Sequence, residues 1–262
     1  MARIPLWQAP SLAFHSERPY RSAARDWRGL AIGYLLAVST LVWLPSASSL
    51  QSDLTWIRET FVPAVVEDVP RIEIRDGEAY VMAETPVELT GPNGEIVAIL
   101  DPDGAVGDLE RTEAGLLLTR DRIWLETIDG VRSLDLSTVG DVVITREAIV
   151  QAADTTTRWI GWLAYPVGAI AMFLYRFLQA LAFGVATFVL ARTFGAGMTY
   201  ASAVRVTAVA LTPVMVLGLL QEVTGVAIPA WWIVSLATTF IYIYFGVRGV
   251  AEEGSEQAQG GS

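Results

Sequence analysis

Hydrophobic positions in this chain form long unbroken runs toward both ends and short alternating runs in the middle. Between Arg28 and Asp53 lie 24 uncharged residues, almost wholly apolar from Gly29 to Leu44. About 20 such residues, rising about 1.5 Å each, cross the hydrocarbon core of a bilayer. Residues 29–50 are therefore predicted to form a first transmembrane helix. A cleaved signal peptide ending in Ser46-Ala47-Ser48-Ser49 is the competing reading; the 28-residue leader with its arginines favours an uncleaved signal anchor.

Residues 223–247 are uncharged and end at Arg248, which predicts a last span; Thr199 to Leu220 predicts another, with Arg205 near its start. The stretch from Trp159 to Ala191 has 33 residues and one charge, Arg176. As a helix it would be about 50 Å long, too long for one span and too short for two. Either the helix projects from the membrane, or Trp159 to Tyr165 lies along the interface and Pro166 turns the chain inward. The expectation is four spans, the last three forming a bundle over residues 158–248.

Residues 51–157 alternate at period two between turn signals. Arg71 to Arg75, Asp76-Gly77 and Ala79 to Met82 read as a β-hairpin, since Asp-Gly favours the tight turn that joins two strands. Thr85 to Leu89, Ile96 to Leu100, Gly115 to Thr119, Arg122 to Glu126 and Val131 to Leu136 add further short strands. A small antiparallel sheet or sandwich is expected, and from Thr145 the chain looks helical toward Trp159. The fold class is thus a four-helix membrane protein with one small antiparallel β-rich domain.

Charge adds a direction. The net charge of -10 is concentrated in residues 51–157, where 22 Asp and Glu stand against 8 Arg, while residues 1–28 hold 5 Arg against 2 acids. Arg3, Arg18, Arg21, Arg25 and Arg28 precede the first span, Arg192 and Arg205 flank the loop between the second and third, and Arg248 follows the fourth. Basic loops stay in the cytoplasm. Both termini are therefore expected on the cytoplasmic side of a bacterial inner membrane, with the acidic domain outside. The tail from Ala251 reads as disordered. An acidic domain makes a poor partner for nucleic acid, whose phosphates need basic surface; the partners expected are the bilayer and a membrane or periplasmic protein.

Residue types narrow the chemistry. There is no Cys and a single His, His15, so thiolate chemistry is excluded and the usual hydrolytic base and zinc ligands are scarce. All eighteen basic residues are Arg. No cofactor is implied, and a non-enzymatic role is expected. Asp101-Pro-Asp103-Gly104 resembles the start of a calcium loop, with Asp108 and Glu110 as further oxygen donors, but Thr112 occupies the twelfth position where an EF-hand has Glu. An ordinary acidic turn is the preferred reading.

Within the predicted spans, Arg176 is the first candidate, because a charge there usually faces protein or a wet cavity. Gln179 lies on the same helical face. An anion site, an ion pair with Glu222, or snorkelling to an interface are the alternatives; Arg205, nearer a helix end, is expected to snorkel. Gly29 and Gly33, with Ala37, form a small-residue row where another helix could pack. Pro213 after Thr212 should kink the third span. Trp231, Trp232, Tyr242 and Tyr244 sit where an aromatic belt would.

The run Val69-Pro-Arg-Ile-Glu-Ile-Arg-Asp-Gly77, then Ile99-Leu-Asp-Pro-Asp-Gly104, Leu116-Leu-Leu-Thr-Arg-Asp-Arg-Ile123, and a C-terminal bundle with Arg205 and Thr212-Pro213 complete the pattern. In this order, from about residue 15 to 248, the chain resembles bacterial domain-of-unknown-function family 1189, whose members include a maltodextrin-utilisation accessory protein. The bundle is also similar to Yip-type membrane proteins. The resemblance implies no catalytic residues. The function expected is an envelope scaffold, assembly or sensing partner whose external domain binds another protein. The alternative is an accessory subunit of a sugar or lipid transport system with an anion site at Arg176.

Overall fold

The computed structural model describes residues 6–29, 31–106, 109 and 112–260. Along the chain, α1 (Ala9–Leu12) and α2 (Arg18–Arg25) precede α3 (Ile32–Trp56), which continues through a π-helical turn at Ile57–Phe61 into α4 (Val62–Glu67). Among the described residues eight strands follow: β1 (Ile72–Arg75), β2 (Glu78–Val81), β3 (Val87–Thr90), β4 (Ile96–Leu100), β5 (Leu116–Leu118), β6 (Arg122–Thr127), β7 (Gly130–Asp135) and β8 (Val142–Ile144). The rest is helical: α5 (Arg146–Thr193), α6 (Tyr200–Ala210), α7 (Thr212–Thr224) and α8 (Trp231–Gly260). Among the described residues four helical segments are long and apolar enough to cross a membrane: Ile32–Glu67, Arg146–Thr193, Tyr200–Thr224 and Trp231–Gly254.

The chain divides into two compact units, Met1–Ser49 with Leu163–Ser262, and Leu50–Trp162. In the first, Tyr20, Leu35, Leu211, Met215, Ile243 and Val247 belong to one buried apolar cluster. Two buried hydroxyl pairs sit inside it: Tyr34 with Thr212 at 2.6 Å and Thr187 with Thr207 at 2.7 Å. The third predicted span, where a kink is expected, is interrupted at Leu211. Leu211 closes α6 and opens α7, and Pro213 stands in the first turn of α7, where a missing N–H costs nothing.

Several expectations need correction. The first helix starts at Ile32, not Gly29, because Gly29 and Ala31 take left-handed φ values of 66° and 58°, and it runs far beyond residue 50. Among the described residues no helix packs closely on Gly29 and Gly33, since a Cβ added at either meets no atom within 4 Å. Close packing occurs instead at Gly168, whose Cβ would overlap the Trp43 indole, and at Gly246, whose Cβ would come 2.5 Å from the Tyr20 ring. The long apolar stretch is one helix: Pro166 lies inside α5 without ending it, so the chain does not turn there. The tail expected to be disordered continues α8 to Gly260. Helix-forming Ala251, Glu252 and Glu253 explain this, with Arg248 paired to Glu252 at 2.7 Å one turn on.

The second unit holds two sheets, ordered β2-β1-β8 and β3-β4-β5-β6-β7. Asp76 and Gly77 both have positive φ, 52° and 79°, which matches the tight turn predicted between β1 and β2. The strand pairs are antiparallel except β4 with β5, which run parallel. The purely antiparallel expectation fails there because the connection between them is long enough to return the chain to the same end. Strand β8, at Val142–Ile144, went unpredicted: three residues are too few to show a period. Ile72, Ile74, Leu89, Leu100, Leu118 and Leu136 form the main core of this unit, and Ile99 with Leu117 line a second one on the opposite face.

Candidate functional site

The predicted site residues do not converge on one centre. Arg205 has the most complete set of partners. Its Nε donates to the Ala23 carbonyl at 2.8 Å, Nη2 to the Ala24 carbonyl at 2.9 Å and Nη1 to the Gly29 carbonyl at 3.2 Å. Nη2 also reaches Ser202 Oγ at 2.8 Å, and that hydroxyl donates to the Ala24 carbonyl at 3.0 Å. The Ala23 and Ala24 carbonyls end α2, where no further helical turn supplies N–H donors and the helix dipole is negative, and Gly29 lies just past it. Arg205 thus clamps the end of α2.

The same end of this unit is rich in arginine. Arg25 pairs with buried Glu253 at 3.2 Å. A cavity of about 370 Å³ lies beside them, lined in part by Ala24, Arg25, Ala196, Ser202 and Val250. Residues 6–28, expected as a segment outside the spans, are folded onto the bundle. Tyr20 is fully buried, donates to the Ala13 carbonyl at 2.8 Å and meets Phe245 edge-on. Burial pushes its phenol pKa far up, because the ionised form would lose its hydration.

Glu222 lies at the other end of α7. It accepts a hydrogen bond from Ser46 Oγ at 2.5 Å and, with Gln221, Gly218 and Trp231, lines a cavity of about 430 Å³. Arg176 does not meet it, so the anticipated ion pair is absent. Instead Arg176 donates from Nη1 to Gln179 Oε1 at 2.8 Å, the neighbour one turn on, and stacks on Tyr175. Among the described residues Arg176 forms no ion pair, and its Nε is buried without an acceptor. Neither cavity is lined by Arg176 or Gln179.

Asp101 and Asp103 serve different partners. Buried Asp101 accepts the backbone N–H groups of Gly104 at 3.0 Å and Val106 at 2.5 Å, closing its own turn. Asp103 accepts from the Thr85 hydroxyl and faces Arg120 at 3.9 Å. Asp108 and Glu110 lie outside the described residues. Among the described residues no group of three or more His, Cys, Asp or Glu is gathered as metal ligands would be.

A surface that the sequence did not flag is the hairpin of β6 and β7. β7 ends the five-stranded sheet, so its outer backbone groups have no strand partner there. Ile123, Leu125, Arg132 and Leu134 share one face, since Ile123 opposes Leu134 and Leu125 opposes Arg132. Leu125 and Leu134 are exposed on it, and Ile128 is fully exposed at the tip. The hairpin base is tied down by Asp135, which accepts the Ser137 hydroxyl at 2.6 Å and its N–H at 2.9 Å. Those bonds hold the Asp135 carboxyl below its usual range. The alternation that predicted the strands could have hinted at this surface, but not which face the core leaves bare.

Among curated proteins and among solved structures nothing matches the chain. The run of short motifs, the eight-stranded insertion and the apolar helices nevertheless extend over the region covered by one family model, that described as Protein of unknown function (DUF1189). It matches residues 8–247, nearly the whole chain, and the chain belongs to that family.

Proposed function

We propose that this is a non-catalytic integral protein of a bacterial inner membrane whose β unit, on the extracytoplasmic side, binds another protein along the free edge of β7. The four apolar helices support the membrane reading. The placement of Arg25 and Arg205 at the end of α2, and of Arg248 beside Glu252 on α8 near the Glu253 that pairs with Arg25, supports cytoplasmic termini. The observation that carries the binding role is the β6–β7 hairpin, an unpaired strand edge beside an exposed apolar face. Such edges invite strand addition, and proteins that do not use them normally protect them. A partner strand with apolar side chains at alternate positions would complete β7 and cover Leu125 and Leu134.

Leu134→Asp combined with Ile128→Asp is expected to abolish co-purification of a stoichiometric partner from cross-linked membranes, leaving thermal stability within about 0.5 kcal/mol because both side chains are exposed. Recovery of the wild-type chain alone, or equal capture by the variant, overturns the proposal.

A second reading rests on Arg176, whose guanidinium has no carboxylate partner among the described residues and an unsatisfied Nε. An intramembrane cation in that state suits an anionic group of a transported sugar or lipid. Under this reading Arg176→Gln abolishes the cellular function at unchanged protein level; a fully active variant removes the reading.

A further inference from the structure

In the unit Leu50–Trp162, α3 and α5 pass side by side at the ends of their apolar stretches. Gln51 Nε2 donates to the Gly161 carbonyl at 2.6 Å and sets their separation. Beside this contact is a cavity of about 380 Å³ lined by Gln51, Leu54, Arg58, Thr157, Arg158 and Trp162, among others. The two arginines come from different helices and share Asp154. Arg158 Nη2 lies 2.7 Å from its carboxylate and Arg58 Nη1 lies 4.0 Å from it. Arg58 also meets Glu59 at 2.7 Å.

We infer that this cavity binds the headgroup of a zwitterionic phospholipid, with the phosphate held by Arg58 and Arg158 and the ammonium by Asp154 and the ring of Trp162. The inference rests on the membrane-spanning reading above. Depth is the first support. Trp56, Trp159 and Trp162 are all exposed at this level, Trp162 by 72%, and Trp side chains collect where hydrocarbon gives way to headgroups. Here the apolar run of α3 ends at Asp53 and that of α5 begins after Arg158.

Charge is the second support. Two guanidinium groups and two carboxylates give the cluster no net charge, so a purely anionic headgroup would gain the arginines but meet Asp154. A phosphate with an ammonium answers both signs. Arginine pairs suit phosphate oxygens, and the Arg58–Asp154 separation is longer than the roughly 2.7–2.9 Å of a formed charge-assisted hydrogen bond. An ammonium near Asp154 also gains from an indole face.

The test uses the full chain, delipidated in detergent, with native mass spectrometry after adding equal amounts of phosphatidylethanolamine and phosphatidylglycerol of matched acyl chains. The wild type should retain phosphatidylethanolamine about tenfold over phosphatidylglycerol, the scale of one charge-assisted contact. Arg58→Gln with Arg158→Gln should remove that preference. Asp154→Asn, which deletes the ammonium acceptor and keeps the arginines, should reverse it. Equal retention of the two lipids by the wild type, or a preference unmoved by either variant, overturns the inference while leaving the membrane reading intact. A chain that stays dissolved without detergent overturns both.

Discussion

Gly168→Leu is expected to prevent α3 and α5 from packing and to destroy most of the folded protein. Any Cβ at this position overlaps the Trp43 indole, a rigid ring standing on the facing helix. Overpacking of this kind costs about 1–3 kcal/mol and sometimes more, because neither a ring nor two helix backbones can yield by flexing a side chain. The upper end, about 3 kcal/mol, is expected here. Where the surroundings are lipid, the penalty is not softened by hydrophobic association, since close van der Waals fit is much of what holds such helices together. Thermal unfolding in mild detergent, followed by Trp fluorescence, measures it. Trp43→Ala alone should also destabilise, by leaving a cavity. Both together should be less harmful than the sum of the two by about 0.5–3 kcal/mol, since each change answers the other. Additive effects, or a Gly168→Leu protein as stable as wild type, would falsify the packing at this contact.

The second large effect is expected at Arg205. Arg205→Gln removes three hydrogen bonds to the carbonyls of Ala23, Ala24 and Gly29 and leaves the end of α2 uncapped. Hydrogen bonds from charged donors contribute about 1.5–3 kcal/mol each when measured singly, and these share one side chain, so a total near 3 kcal/mol is expected. The more telling readout is local. With its clamp gone, α2 should detach before the bundle melts, exposing Arg18, Arg21 and Arg25 to trypsin. Arg205→Lys should protect only partly, because one ammonium cannot reproduce a planar fork directed at several carbonyls. A trypsin pattern identical in wild type and Arg205→Gln would show that α2 is held by Tyr20 and its apolar neighbours alone.

The second effect also shows how far the sequence could be read. Arg205 was visible as a charge near the start of a span, and snorkelling was the natural expectation for it. Its true partners lie some 180 positions away in the chain, on carbonyls that carry no side-chain signature. No local pattern announces them. The same holds for glycine. Gly29 and Gly33 carry the GxxxG spacing associated with close helix contact, yet a Cβ at either would meet no atom within 4 Å, while Gly168 and Gly246 belong to no GxxxG and stand against Trp43 and Tyr20. Spacing says which residues share a face, not what that face meets.

Hydrophobic run length, by contrast, is a property of the chain itself, because about 20 apolar residues suffice to span a bilayer whatever their neighbours. The sequence alone therefore determined the four apolar helices, and period-two alternation with Asp-Gly turns determined seven of the eight strands among the described residues. The break before Pro213 was equally local, since proline removes its own N–H. Tertiary structure decided what those elements do together. It chose the parallel β4–β5 pair, kept α5 whole through Pro166, folded the N-terminal segment under Arg205, divided Asp101 from Asp103, and left the outer edge of β7 unpaired. Each of these depends on which distant group supplies a hydrogen bond or fills a gap, and such pairings are settled by the free energy of the assembled fold and not by any window of sequence.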